Sequence, residues 1–191
     1  MSNRPGLAAD RRNAVIDAAI TEFVRAGFEA TTVDVIARLA GVSRRTVFRY
    51  FAAKEDIVVA WSMATGPMLA AAIDAELTRR APLVAATSAV LCHLGDNEHI
   101  QGLSLEVARL IEATPSLKAR AHEKYAAWEE LIADTLARQG ADPIAAAMAA
   151  TVAIGGLRVA VTQWLRLDGA RSVLALTQDA YAALPRLNGD G

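Results

Sequence analysis

The stretch TTVDVIARLAGVSRRTVFRYFAAK, Thr31 to Lys54, decides how the rest of the chain reads. Val33, Ile36, Ala37, Leu39 and Ala40 recur at helical spacing up to Gly41, and a second apolar set, Val42, Val47, Phe48 and Phe51, resumes beyond it. Two short helices joined by a tight turn are implied. Glycine reaches left-handed backbone angles without steric cost, which suits the turn, and Ser43 is a natural N-cap for the helix it precedes. The pattern is that of a helix-turn-helix. Within the second helix Val47 and Phe51, four apart, point inward, while Arg44, Arg45, Thr46 and Arg49 fall on the opposite side with Tyr50 at its edge. Three guanidinium groups and a hydroxyl so placed suit phosphates and guanine edges. An ordinary solvated face more often alternates Glu with Lys.

The segment from Gly27 to Lys54 resembles the DNA-binding domain of the TetR family of bacterial transcriptional repressors. The resemblance is carried by Gly27-Phe28, Thr31-Thr32, Ile36-Ala37, Ala40-Gly41-Val42-Ser43, Thr46, Phe48, Tyr50-Phe51 and Lys54. It implies that Thr31, Thr32, Ser43, Arg44, Arg45, Thr46, Phe48, Arg49, Tyr50 and Lys54 form the DNA-binding set. One threonine hydroxyl caps the first helix of the motif, whose free amides favour a phosphate, and Lys54 serves a similar positioning role. The three arginines are the candidates for base contacts. The chain departs from the family where Arg45 replaces a small residue and Phe48 replaces tyrosine, so the operator sequence does not carry over.

The bulk numbers set limits on the remainder. The chain has 191 residues, enough for one sizeable core or two small ones but not for a large catalytic domain beside a DNA reader. Hydrophobic residues make up 53% and mean hydropathy is +0.24, values that alanine inflates. The longest nearly apolar run, Ile144 to Leu157, holds Thr151 and two glycines and is followed by Arg158, short of the roughly 20 residues a span requires. The start, MSNRPGLAADRR, lacks the apolar core of a signal peptide, so the expected location is the cytoplasm and no membrane is expected as a partner. A single cysteine, Cys92, excludes an internal disulfide and a cysteine-cluster metal site; Cys92 and His93 point about 100° apart on a helix, and a buried structural thiol is expected. The net charge of -1 conceals an asymmetry. Residues 1–60 hold nine Lys plus Arg against seven Asp plus Glu, a net of +2, and the remaining eleven against fourteen give -3. A polyanion therefore belongs with the N-terminal part.

Along the chain, Asp10 to Ala26 reads as the first helix with a mobile arm before it, Val15, Ile16, Ala19, Ile20 and Phe23 forming its apolar stripe. From Ala53 a long helix runs through Trp61 and Met68, and Gly66-Pro67 within it is either a kink or a boundary. Pro82 to Leu94 and Ile100 to Ala113 are further helices about a polar Gly95–Glu98 loop. Thr114-Pro115 and Asp142-Pro143 restart helices that end at Gly140 and Gly169, and a last helix runs from Ser172 to Leu184, leaving a loose tail. The predicted fold is all-α, about nine helices, with a helix-turn-helix domain over residues 1–54 and a helical ligand-binding and dimerisation domain over 55–191.

Two candidate sites fall in the second domain. Trp61, Met68, Leu105, Arg109, Tyr125, Trp128 and Trp164 are read as lining an apolar pocket. The stretch from Leu103 to Leu131, with the later LRVAVTQWL, looks like a subgroup whose ligands are of acyl-CoA type, which implies basic residues near the pocket mouth; Arg109, Arg120 and Lys124 are the candidates. Pairing of Arg109 with Glu106, Glu112 or a neighbouring helix explains it more simply. The resemblance also implies that the last two helices pair with their copies in a homodimer through Val152, Gly156, Val159, Gln163, Val173, Leu176 and Ala180, although intrachain packing of alanine-rich helices accounts for the composition nearly as well. The expected function is a repressor that binds a palindromic double-stranded operator and is released by a small hydrophobic, acyl-CoA-like effector. The alternative is an architectural DNA-binding protein with no small-molecule input. No cofactor or metal is expected, and the absence of HExxH, GxSxG and P-loop patterns argues against an enzyme.

Overall fold

Side-chain caps and prolines set most helix starts in the computed structural model, which describes residues 5–63, 81–96 and 101–188. Nine α-helices lie among the described residues: α1 Pro5–Ala26, α2 Val33–Leu39, α3 Arg44–Tyr50, α4 Lys54–Met63, α5 Pro82–Asp96, α6 Gln101–Ala113, α7 Pro115–Arg138, α8 Pro143–Arg166 and α9 Val173–Ala182. A 3-10 turn over Pro185–Asn188 follows, and no strand occurs among these residues. The fold is all-helical, as the periodicity predicts. Thr32, Ser43, Asp142 and Ser172 each accept a hydrogen bond from the backbone N–H three residues on, which satisfies one of the free amides at a helix start.

Several boundaries differ from the sequence reading. The first helix begins at Pro5 rather than Asp10, because proline's fixed φ suits the first helical position and Leu7, Ala8 and Ala9 are good helix formers that outweigh Gly6. Gly95 and Asp96 continue α5 instead of opening a loop. The chain after α9 turns as a 3-10 helix where a loose tail was expected. Gly66-Pro67, Met68 and residues 97–100 lie outside the described residues.

The chain divides into two compact units, Met1–Ala64 with Glu106–His122, and Thr65–Leu105 with Glu123–Gly191. The expected domain boundary at Lys54 thus lies inside the first unit. That unit's core joins Val15, Ile16, Ala19, Ile20 and Phe23 of α1 to Ile36 and Ala37 of α2, Val47 of α3, Phe51, Ile57, Val58, Val107 and Leu117. The apolar stripe of α2 is narrower than predicted. Leu39 is 54% exposed, since it sits about 200° from Ala37 on the helix.

In the second unit α8 packs on α5 and α9. Ala85, Ala86 and Ala89 of α5 and Ala146, Ala149, Ala150, Ala153 and Ala160 of α8 are all buried, and small side chains let helix backbones approach closely. Helix α8 as a whole is long and apolar enough to cross a membrane by length and composition, which the shorter run read from the sequence did not meet. Ile154, Leu157 and Trp164 of this helix are nevertheless buried among protein neighbours, the composition a core helix needs.

Candidate functional site

The turn between α2 and α3 is closed by two backbone hydrogen bonds, Val42 N to Ala37 O at 2.9 Å and Gly41 N to Arg38 O at 3.2 Å, with Gly41 at φ 65°. This pair is a Schellman C-cap, which uses glycine for the left-handed position. Ser43 then caps α3: its Oγ accepts from Thr46 N at 3.1 Å and lies 2.8 Å from Thr46 Oγ1. Val47 and Phe51 are 1% and 4% exposed, so they pin α3 to the core and fix its rotation. At 100° per residue Arg45 and Arg49 fall opposite this buried pair, while Phe48 and Arg44 lie on one flank of the helix, and all four are exposed.

Aromatic and acidic neighbours hold two of the arginines. Arg44 donates to Asp34 of α2 at 3.3 Å, and its guanidinium lies 5.5 Å from the Phe48 ring centroid. Arg49 donates to the Tyr50 hydroxyl at 3.0 Å and lies 4.9 Å from that ring. A guanidinium resting on a ring gives up part of its rotamer freedom before any ligand arrives. Arg45 makes no ion pair or hydrogen bond among the described residues and is exposed. Phe48 belongs with the arginines on the outer face, being 45% exposed, although its apolarity grouped it with Val47 in the sequence. Sequence reasoning missed Asp34, the acid that steadies Arg44, because an acid in the first turn of a helix has a sufficient role there already.

Two residues of the predicted DNA-binding set are engaged at the turn between α1 and α2. Thr31 is 2% exposed and its hydroxyl donates to Gly27 O at 2.8 Å, so it closes the α1–α2 turn and offers nothing to a phosphate; Thr32 alone is the cap. Lys54 donates to Phe28 O at 2.7 Å and its Nζ sits 4.2 Å from the Phe28 ring centroid. Its ammonium secures the same turn from α4 and lies 3.8 Å from the Glu29 carboxylate.

The predicted pocket residues divide between the units. Trp61 packs against the first unit's core. Arg109 is exposed on α6, so the apolar run around it does not bury its charge, and Arg120 is paired with Asp56 at 3.4 Å within the first unit. In the second unit Tyr125 and Trp128 of α7 meet edge to face at 6.2 Å. Trp128 is 5% exposed and meets the buried His93 ring at 5.5 Å. Lys124 Nζ lies 4.4 Å from the Tyr125 ring and 4.8 Å from the Trp128 ring; burial disfavours its charged form and lowers its pKa to about 8. Burial also pushes the Tyr125 hydroxyl up, against the pull of Arg158, whose guanidinium is 5.8 Å from the ring. His93 and Arg158 were missed: the first was weighed only as a partner for Cys92, the second only as the end of an apolar run. Cys92 is exposed, not buried, because His93 takes the inward position on α5. Trp164 is buried in α8 and Leu105 is half-buried.

The residues read as a dimer interface also divide. Gly156 receives the Tyr181 ring of α9, and a methyl group there would collide with it. The Tyr181 hydroxyl donates to Ala153 O at 2.8 Å, and burial holds its pKa above the usual range. Gly156 and Leu176, the latter 8% exposed, therefore serve packing within the chain. Val159 is exposed, and Val152, Gln163, Val173 and Ala180 are half-buried. An open groove of about 380 Å³ on α8 is lined by Gly155, Arg158, Val159, Thr162 and Gln163.

Comparison with known proteins places this geometry. Residues 15–61 match the family model described as bacterial regulatory proteins, tetR family, and residues 80–187 match the MftR C-terminal domain. The chain is 36% identical, over 91% of each chain, to MftR of Mycobacterium tuberculosis (strain ATCC 25618 / H37Rv), named as a candidate transcriptional regulator of mycofactocin biosynthesis. It is 32% identical to the HTH-type transcriptional regulator TcmR of Streptomyces glaucescens, over 73% of this chain and 67% of that one. Among solved structures, Thermus thermophilus FadR in complex with lauroyl-CoA superposes with a TM-score of 0.60 at 23% identity, covering 91% of this chain and 92% of that one.

Proposed function

The chain belongs to the TetR family of bacterial regulatory proteins and is a transcriptional regulator, and from this premise we propose that it is a ligand-responsive repressor. It acts in the cytoplasm, binds a palindromic operator as a homodimer and is released by a small apolar effector. The observation that carries the reading is the outer face of α3, where Arg44, Arg45, Phe48 and Arg49 are exposed on a helix locked by Val47 and Phe51. Arg45 and Arg49, four apart, are the base readers; Arg44, shared with Asp34, steadies the register.

Seven residues of helix touch few base pairs. Two copies, their recognition helices one DNA turn of about 34–36 Å apart, read a palindrome. Association through α8 and α9 is supported by Ile144, Met148 and Val159, which are 76%, 59% and 55% exposed and lie along one side of α8. An acyl-CoA-like effector is supported by the lauroyl-CoA held by the Thermus thermophilus relative in fold. Such an effector weakens DNA binding only as far as it prefers the released form, and a hundredfold effect requires about 2.7 kcal/mol of preference.

Gel-shift titration with the DNA upstream of the chain's own gene tests the reading. The expected result is a sequence-specific complex that weakens as salt rises. Arg45→Ala together with Arg49→Ala should raise Kd at least about tenfold, each arginine contributing about 1–3 kcal/mol. Lauroyl-CoA should release the complex. A complex indifferent to salt, or unchanged in the double variant, overturns the assignment of α3 as the reading helix.

A further inference from the structure

Within the second unit, a small part of α7 gathers hydrogen-bond donors that have nothing to donate to. Trp128 is 5% exposed, and its Nε1–H, like Nδ1 of the His93 ring packed against it, is buried without a hydrogen-bond partner among the described residues. One turn earlier, the half-buried Lys124 lays its Nζ over the faces of Tyr125 and Trp128 and makes no ion pair or hydrogen bond among the described residues. Arg158 brings a second cation from α8, its guanidinium 5.8 Å from the Tyr125 ring. Glu129, the acid nearest in sequence to Trp128, instead accepts from Thr151 Oγ1 at 3.4 Å.

Buried polar groups in folded proteins are nearly always paired, and an ammonium drawn even partly out of water needs an acceptor for the same reason. Aromatic faces compensate an ammonium only in part, which agrees with the lowering of the Lys124 pKa to about 8 by burial. Trp128 Nε1 and the Lys124 ammonium can only donate, the His93 Nδ1 beside them donates in its Nδ1–H form, and Lys124 and Arg158 bring positive charge to the rings. One group answers them together: an oxyanion, whose oxygens accept from an indole N–H and an ammonium at once. The ring faces of Tyr125 and Trp128 would then receive the apolar part of the same molecule.

We propose that Lys124 Nζ and Trp128 Nε1, with Arg158 beside them, form an oxyanion-binding site that takes the carboxylate or phosphate of an apolar effector. The proposal rests on the effector reading above and assigns the end of the molecule that the second unit recognises.

The test uses the full chain labelled with 15N at its three tryptophan indoles, the Trp128 signal being identified by its absence in Trp128→Phe. The probes are laurate, lauroyl-CoA, dodecanol and inorganic phosphate. Laurate or lauroyl-CoA should move the Trp128 indole proton downfield, and dodecanol, which lacks the anion, should not. Lys124→Gln should weaken the anionic probes about tenfold or more while leaving dodecanol within about twofold, and Lys124→Arg should restore most of the loss. A response to laurate assigns the carboxylate; a response to lauroyl-CoA and inorganic phosphate without laurate assigns the phosphate. If laurate or lauroyl-CoA binds with the Trp128 signal unmoved, or equally well to Lys124→Gln, the site is wrong while the effector reading stands. If none of the four probes binds to a chain that still binds operator DNA, both fall.

Discussion

The two units are both helical, yet they hold their helices in different ways. In the first, large side chains fill the centre: Phe23, Ile20, Ile36 and Ile57 are among the largest fully buried residues, with Phe28 and Phe51 beside them. In the second, Ile132, Leu136 and Ile154 are fully buried too, but the packed helices α5 and α8 bury mostly alanines. A large side chain fits one hole, so its removal leaves a cavity and its position fixes register. An alanine face defines closeness but little else, and a few larger groups, such as Tyr181 seated on Gly156, must supply the register.

The largest effect should come from the first kind of packing. Phe51 is 4% exposed and ties the end of α3 to the core. Phe51→Ala should cost about 3–5 kcal/mol, followed as thermal unfolding of the first unit together with loss of operator binding. The near-ultraviolet signal of Trp128 in the second unit should persist at temperatures where DNA binding is gone. Simultaneous loss of both signals would mean that the units unfold as one and would break the contrast.

The first unit could be read from sequence because its decisive residues are marked by kind and spacing. Gly41, Ser43, Val47 and Phe51 each have one good structural reason to stand where they do, and the structure uses each for that reason. What was misread there concerns polar side chains with two plausible partners. Thr31 suits a phosphate by chemistry, but the turn after α1 lies closer and takes its hydroxyl, and Lys54 donates to the same turn. In the second unit composition alone could not say which small residue faces which neighbour. Gly156 reads equally as a contact for another chain or for Tyr181, and only the position of α9 decides. The cluster around Trp128 was half visible, since Tyr125 and Trp128 share a helical face, but His93 and Arg158 reach it from α5 and α8 and no local spacing connects them.

The contrast sharpens at Gly156. Gly156→Ala places a methyl against the Tyr181 ring and should destabilise the second unit by about 1–3 kcal/mol through overpacking. Combining it with Tyr181→Leu, which vacates the ring, should cost less than the sum of the single changes, with a coupling of at least about 0.5 kcal/mol. Denaturant unfolding of the four species gives that number. Strict additivity would show that the ring does not set the register of α9 on α8.

The smallest effect compares one residue type in both units. Ser43 and Ser172 each accept from the backbone N–H three residues on at 3.1 Å, so Ser43→Ala and Ser172→Ala should each cost about 1 kcal/mol of stability in their own unit. Their effects on DNA should differ. Ser43 also engages the Thr46 hydroxyl at 2.8 Å, and losing it frays the first turn of α3 beside Arg44 and Arg45, so operator Kd should rise several-fold. Ser172→Ala should leave Kd unchanged when titrated at chain concentrations high enough that self-association does not limit binding. Equal losses of DNA affinity would mean that α3 draws its order from the whole chain and not from its own cap, turn and two buried anchors.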